Sequence, residues 1–478
     1  MLSYRKFAVA ILVGIAFFME SLDLTILNSA LPKLSILLNA DLPVIKSAMT
    51  SYVFALALFL PLSGWAADQW GTKRVFCLSL LSFGLISACC GLANNIIELS
   101  IFRFLQGVAG AFMIPVGRLL IIKHYARKDL LTATSMVAIV SLVGPALGPL
   151  LGGYLVEYQS WRWIFLINVP ICVIAAIVGT QWIHSLGDDI QRHRFDWFGF
   201  TLFGLAFAAP CVALEVAAYE NIPNQFILVL LVAGLALFGC YSYRARLIKW
   251  TVVDLSVFAI RTFRISAIGN LLSRIGISSI FFLAPLLFQD GLGKTPLESG
   301  MLFLPYALAM FPIRIFVTPL IRKLGFRRIL TWNTFILGIL IASLGLVQVN
   351  TSTTILVLGM IAIGALTSLQ YGCLSVITYI DLPPTAKSSG ATVASICQQF
   401  SIELGIGLAT LVFVLFSPDM MPQHFSITSF KQSIVVMGAI TAFASFIFTG
   451  LLKTDGVEMV DDEPTSSIEA SEDYKIAR

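Results

Sequence analysis

Glu20 and Asp23 stand three residues apart in MESLDLTILNSALP (19–32), a stretch that is otherwise almost wholly apolar. Side chains at that spacing share one face of a helix. Carboxyls held together in an apolar setting are suited to loading and unloading a proton. The structural alternative is a buried ion pair or a helix-to-helix hydrogen bond. Rival chemistries have little to build on. The four histidines, His124, His184, His193 and His424, lie in loops and do not cluster, and no CxxC spacing occurs among the eight cysteines, which include Cys77, Cys89, Cys90 and Cys397. Neither a disulfide framework nor a metal site is indicated, and the cysteines read as packing residues. GLGKT at 291–295 lacks the first glycine of a phosphate-binding loop, because Phe288 takes its place. The sequence therefore predicts no enzyme, no cofactor, no metal and no nucleic-acid partner.

Further charges lie in equally apolar surroundings: Arg103, Arg118, Arg274, Arg314 and Glu403. Such groups must be paired, face a wet cavity, or snorkel toward an interface. Arg118 and Arg314 lie toward one set of helix ends and suit snorkelling; Arg274 and Glu403 do not. Near Glu403, CQQF (397–400) with Gln398 and Gln399, and Gln370 with Tyr371 elsewhere, supply polar groups for a substrate cavity or, equally, for helix-to-helix hydrogen bonds.

The elements that position these charges are membrane helices. Of 478 residues, 58% are hydrophobic and 12% charged, with a mean hydropathy of +0.90, beyond what a water-soluble core requires. Apolar runs of about 20 residues, enough to cross ~30 Å of hydrocarbon, recur throughout and are too long for barrel strands. The fold class is all-α, with about 14 transmembrane helices: 8–29, 47–66, 75–93, 98–120, 132–156, 163–183, 197–217, 226–243, 265–288, 299–321, 329–348, 354–378, 390–416 and 433–452. With both termini cytoplasmic, about 22 Lys and Arg residues, among them Lys73, Arg74, Arg322, Lys323, Arg327 and Arg328, fall on that side and about 5 outside. These loops account for the net charge of +5. Arg5 and Lys6 before an apolar run resemble a signal peptide, but the run is too long and shows no cleavage site, so it reads as a retained first helix. In that helix Glu20 and Asp23 together cost roughly 5–7 kcal/mol to insert, against about 3–7 returned by its large apolar residues. A purely structural helix has no need of that expense.

GWAADQWGTKRVF (64–76) and TPLIRKLGFRRIL (318–330) are weakly alike and 254 residues apart, aligning Gly71 with Gly325 and Arg74 with Arg328. The spacing predicts two six-helix repeats, 1–184 and 262–452, an inserted helix pair in 185–261, and a disordered acidic tail over 453–478. Repeated halves around a midplane site are the architecture of secondary transporters.

Five stretches carry a resemblance to a known group: LDLTILNSALP (22–32), GWAADQWGTKR (64–74), RFLQGVAGAFMIP (103–115), GPALGPLLGG (144–153) and WRWIFLINVPI (161–171). The chain resembles the 14-helix drug:proton antiporter branch of the major facilitator superfamily. That resemblance implies the major facilitator fold and proton-coupled export by antiport, including multidrug efflux. It also implies a multi-pass protein of the bacterial inner membrane that works as a monomer on small-molecule substrates and protons within the lipid bilayer. It assigns a gating loop to Gly64, Asp68, Gly71, Lys73 and Arg74, with an ion contact at Asp68. The second copy departs from the pattern, with Arg322 at the place of Asp68 and Thr318 at that of Gly64, which predicts an asymmetric gate. The resemblance assigns a proton relay to the stretch opened by Arg103, for which Asp23 lies at matching depth in the outer half of the membrane; Glu20 and Glu403 complete the proton-coupling candidates. A static bridge between Asp23 and Arg103 fits the same spacing. Gly144, Gly148 and Gly152 recur every four residues beside Pro145 and Pro149, and with Gly153 they match the antiporter motif, which seals a helix interface and favours export; plain small-residue packing is the alternative.

Two substrate classes fit. A drug-like cationic amphiphile would use Glu20, Asp23 and Glu403 in an apolar, aromatic cavity. An anionic or zwitterionic metabolite, such as a siderophore, would use the arginines, Arg274 above all, as a clamp.

Overall fold

A computed structural model gives the fold and describes residues 2–27, 30–38, 42–125, 127–183, 195–217, 223–248, 251–383, 386–416, 427–452 and 455. His184, His193, His424 and, Asp455 apart, the expected tail from 453 onward lie outside the described residues.

Every regular element described is helical. Among the described residues twelve helices are long and apolar enough to cross a membrane, and a bent pair, taken as one span, makes a thirteenth. The 32-residue α7 (Arg127–Tyr158) occupies the place of the fifth expected span. The protein is a multi-pass membrane protein. α1 runs Leu2–Ile26 and is followed by a short helix, α2 (Leu31–Leu37), that the apolar pattern does not indicate. The second expected span, 47–66, is not one helix but two, α3 (Leu42–Phe59) and α4 (Leu62–Trp70), bent by 58°. Pro61 at the bend has no N–H to continue the ladder.

α5 (Thr72–Leu92) and α6 (Ile96–His124) follow. Asn95 caps α6 by accepting from the Glu98 N–H at 2.9 Å, which fixes its start. The sixth expected span is divided into α8 (Trp163–Leu166) and α9 (Asn168–Trp182). α10 (Trp197–Val216) and α11 (Asn224–Leu247) form a hairpin tied by two hydrogen bonds from Arg244 to Asp196. α12 (Arg261–Leu286) precedes α13 (Pro296–Ser343), which begins with a reciprocal capping box between Thr295 and Glu298. α13 holds two expected spans joined at Gly325, whose φ of 74° breaks the helical path. Gly71, 254 residues earlier, separates α4 from α5 with φ 86°. Both conformations favour a residue without Cβ, so the two aligned glycines make the same kind of break. α14 (Thr353–Ile377), α15 (Lys387–Leu415) and α16 (Ile427–Phe448) complete the chain.

The two parts of the chain pack alike. α1 lies on α7 and α3 on α6, while α12 lies on α15 and the first half of α13 on α14. Close backbone approach marks equivalent contacts: a Cβ at Gly107 would meet the Tyr52 carbonyl at 2.3 Å, and one at Gly364 would meet the Tyr306 carbonyl at 2.0 Å. Tyr52 and Tyr306 are 254 residues apart. α7 meets α13 across the seam through Gly153 against the Pro296 carbonyl and Gly300 against the Pro149 carbonyl, both at 2.3 Å from the added Cβ. Beside them the Glu157 carboxylate accepts from the Leu297 N–H at 2.9 Å. α10 rests on both α3 and α15, with the Phe207 ring 5.8 Å from Phe54 and 4.7 Å from Phe400. α11 is almost entirely outward-facing.

Candidate functional site

Asp23 and Arg103 form an ion pair in which each residue is 1% exposed. α1 and α6 bring the two together, and neutral polar groups complete the set. Gln106, one turn along α6, accepts from Arg103 through Oε1 at 2.9 Å and donates Nε2 to Asp23 Oδ1 at 3.2 Å. Asn168, the first residue of α9, donates to the same oxygen at 3.1 Å and to Ser87 Oγ of α5 at 3.2 Å. Arg103 Nε donates to the Ala48 carbonyl of α3 at 3.0 Å, and the guanidinium lies 4.2 Å from the centre of the Tyr52 ring. One carboxylate thus anchors helices α1, α3, α5, α6 and α9. Three donors, from Arg103, Gln106 and Asn168, converge on its two oxygens.

Glu20, one turn before Asp23, is 2% exposed, and its Oε2 has no hydrogen-bond partner among the described residues. The cation in electrostatic reach is Arg118, whose guanidinium stands 5.9 Å from the Phe17 ring. Glu20 and Asp23 therefore share a helix face but have different settings, one with an orphan oxygen and one saturated.

In the other half, Arg274 at the middle of α12 is half-buried. Its Nε donates to Asn270 Oδ1 at 3.2 Å, and its guanidinium lies 3.9 Å from the centre of the Tyr371 ring on α14. Gln370 turns elsewhere: its Oε1 accepts from Asn333 at 2.9 Å and Thr334 at 3.0 Å, both on α13. It is a helix-to-helix link rather than a partner of Tyr371. Gln399 and Glu403 are buried on α15 and Gln398 is half-buried. No hydrogen bond among the described residues joins Gln398 or Gln399 to Gln370 or Tyr371. Arg314 is exposed although it shares a helix face with buried Phe303, Ala307, Met310 and Val317 of α13.

Asp68 is exposed in the last turn of α4, Lys73 is half-buried and Arg74 exposed in the first turn of α5, and Gly71 lies between them. A side chain at Gly64 would meet nothing within 4 Å, so packing does not explain that glycine. The α7 glycines do pack: an added Cβ would lie 2.8 Å from the Phe18 carbonyl at Gly144, 2.0 Å from Thr25 Oγ1 at Gly148 and 2.2 Å from the Ile26 carbonyl at Gly152. Pro149 is buried against α13; the side chain of Pro145 lies outside those described.

The sequence profile described as Major Facilitator Superfamily matches residues 13–406. The chain belongs to the major facilitator superfamily. Among curated relatives of this superfamily member, a Pectobacterium atrosepticum protein named "Putative multidrug resistance protein MdtD" is 34% identical over 439 residues, covering 91% of this chain and 94% of the relative. A Haemophilus influenzae protein named "Probable transport protein HsrA" is 33% identical, covering 92% and 95%. Solved structures share the superfamily fold at low identity. A bacterial homologue of the human lysosomal transporter Spinster, inward-facing and unoccupied, matches with TM-score 0.64 at 15% identity, covering 94% of this chain and 96% of that one. A D-xylose-proton symporter matches with TM-score 0.65 at 12% identity, covering 94% and 99%. The chain is thus a transporter of the major facilitator superfamily.

Sequence reasoning does not single out Gln106, Asn168, Tyr52, Lys46 or Asn270. Lys46, 0% exposed near the start of α3, falls just outside the span expected at 47–66. An isolated amide or lysine within or beside an apolar run is the signal that could have marked them.

Proposed function

We propose that this superfamily transporter is a proton-coupled exporter, an antiporter, of drug-like amphiphilic small molecules. It works as a monomer in the bacterial inner membrane with both termini cytoplasmic. Its six-helix halves, 1–184 and 262–452, move against each other to alternate access. The carrying observation is the buried ion pair of Asp23 and Arg103 with Gln106 and Asn168 around it. A proton added to Asp23 cancels the charge that holds Arg103 and leaves three donors, two from α6 and one from α9, competing for fewer acceptors. Protonation then changes the packing free energy of α1, α6 and α9 together, which is what coupling a proton to a conformational change requires. Glu20, with an orphan oxygen on the same helix face, is the second proton candidate, and Glu403 the third.

Two further observations support export of apolar molecules. The glycines of α7 press on α1 and, at Gly153, on α13, a dry seal across the seam. Relatives of about a third identity over nine-tenths of the chain carry multidrug resistance in their names. Asp68, with Lys73 and Arg74, serves the cytoplasmic gate in this reading.

The test is purified protein in liposomes under an imposed pH gradient, with ethidium as the probe. Wild type is expected to concentrate ethidium against its gradient while protons flow the other way, and Asp23→Asn is expected to lose at least nine-tenths of that coupled flux. Full gradient-driven transport by Asp23→Asn, or wild-type transport indifferent to the pH gradient, overturns the reading.

A further inference from the structure

Arg274 sits 13 residues from the start of α12 and 12 from its end, about 20 Å from one end by the helical rise. In a span of ~30 Å that depth is too great for an arginine side chain to reach either interface. It is nonetheless half-buried rather than sealed. A guanidinium there must be paired or face a wet cavity that an anion can enter, because its charge cannot be removed by losing a proton. Among the described residues no carboxylate pairs with it. Asp23 belongs to Arg103, and Glu20 has Arg118 as the cation in reach. What Arg274 has is neutral: Asn270 Oδ1 at 3.2 Å and the Tyr371 ring at 3.9 Å.

The comparison with Arg103 is informative. Each guanidinium lies on a tyrosine ring, Arg103 on Tyr52 at 4.2 Å and Arg274 on Tyr371 at 3.9 Å. In the first half, helix α1 supplies the anion from Asp23. The 254-residue offset places Ile277 of α12 at the position of Asp23, and Arg274 itself at that of Glu20. By the same offset Tyr306, not Tyr371, stands where Tyr52 does, so the second half sets a cation on an aromatic ring from a different helix, and among the described residues no carboxylate forms an ion pair with it.

We propose that Arg274, oriented by Asn270 and Tyr371, recognises a carboxylate carried by the transported amphiphile. The site favours molecules with an apolar body and one carboxylate over lipophilic cations. Its planar fork matches a carboxylate with two parallel hydrogen bonds, and the Tyr371 face beneath it holds the fork in one plane. The same charge repels a cation from that end of the path. This rests on the export reading for its physiological meaning but not for its measurement, which is binding.

The experiment uses purified full-length protein and three fluorescent probes: dansylglycine, which carries one carboxylate, dansylamide, which has the same ring and no carboxylate, and ethidium, a cation. Wild type is expected to bind dansylglycine more tightly than dansylamide. Arg274→Gln should weaken dansylglycine about ten- to a hundredfold, the worth of a charge-assisted bond, bring it level with dansylamide, and strengthen ethidium. Arg274→Lys, which keeps the charge but loses the fork, should recover part of the dansylglycine affinity. Equal wild-type affinity for the two dansyl probes overturns the proposal. So does a loss of all three probes together in Arg274→Gln, the signature of a structural role, or no recovery in a well-folded Arg274→Lys. The export reading fails separately, if liposomes under a pH gradient move no probe while the binding differences persist.

Discussion

Replacing Asp23 by asparagine keeps the shape of the side chain and removes its charge. In the native network its two oxygens take three donors: Arg103 on Oδ2, and Gln106 Nε2 at 3.2 Å and Asn168 Nδ2 at 3.1 Å on Oδ1. Asparagine offers one acceptor oxygen, and its amide nitrogen must then face another donor. Arg103 keeps only neutral acceptors, Gln106 Oε1 at 2.9 Å and the Ala48 carbonyl at 3.0 Å. Removing one partner of a buried pair costs about 3–5 kcal/mol. Because two acceptors remain to Arg103, the lower end, about 3 kcal/mol, is expected. Removing both charges, Asp23→Asn with Arg103→Gln, takes away the stranded cation, so the double variant should be more stable than Asp23→Asn alone. The double-mutant cycle should then return a coupling of about 2 kcal/mol or more. Unfolding by sodium dodecyl sulfate in mixed micelles, followed by tryptophan fluorescence, gives the four stabilities. Additivity within about 0.5 kcal/mol would show that the two charges do not depend on each other, and the account of the network would be refuted.

Gly148→Leu should lower stability in the same assay by about 1–3 kcal/mol or more, since its Cβ alone would lie 2.0 Å from Thr25 Oγ1; wild-type stability and transport together would contradict the tight α1–α7 contact. Glu157→Ala removes the acceptor for the Leu297 N–H at the α7–α13 seam. Labelling of a cysteine introduced nearby by a membrane-impermeant maleimide should therefore rise, and an unchanged rate would exclude a role in closure. Asp196 lies just outside the span that starts at Trp197. Burial pushes its carboxyl up, but hydrogen bonds from Arg244 and the Gly199 N–H, with the charge of Arg244, outweigh that and hold it below the ordinary value of 3.8. A depressed folded value means that the pair stabilises above the ordinary carboxylate range and ceases to as pH falls through the lower folded value. Asp196→Asn should therefore cost up to about 1 kcal/mol at pH 7 and little below about pH 3, and a cost that persists in acid would exclude the ion pair as its source.

Asp23 and Arg103 are legible in the sequence because a charge in an apolar span is expensive, and counting the helical rise from the assigned ends brings the two level. Gln106 and Asn168 are not, since a neutral amide costs little to insert and its partner depends on how helices rotate about their axes. The glycine breaks at 71 and 325 show through a weak repeat because their backbone conformation restricts the residue type, whereas neighbouring positions are free to drift. The bend at Pro61 is obscured by the continuous apolar run around it, which records depth in the membrane but not direction. Gln370 illustrates the opposite failure. Its residue type suits a cavity, and only the register of α14 against α13 reveals that Asn333 and Thr334 occupy its oxygen.

Phe207 touches Phe54 of α3 on one side and Phe400 of α15 on the other, so any sliding of α3 past α15 drags on the same ring. The three rings are held by dispersion, with about 0.1–0.2 kcal/mol per atom pair and no preferred partner. Such a contact resists separation strongly and lateral displacement weakly, because each lost atom pair is replaced by another as the faces pass. A hydrogen bond in that place would act as a detent, with one favoured register and a barrier to leaving it. In the proposed alternating-access motion, α10 would serve instead as a lubricated bearing between the two walls. With α11 outward-facing behind it, a bilayer on that side would press on the bearing, and membrane thickness and lateral tension would then act on this seam directly.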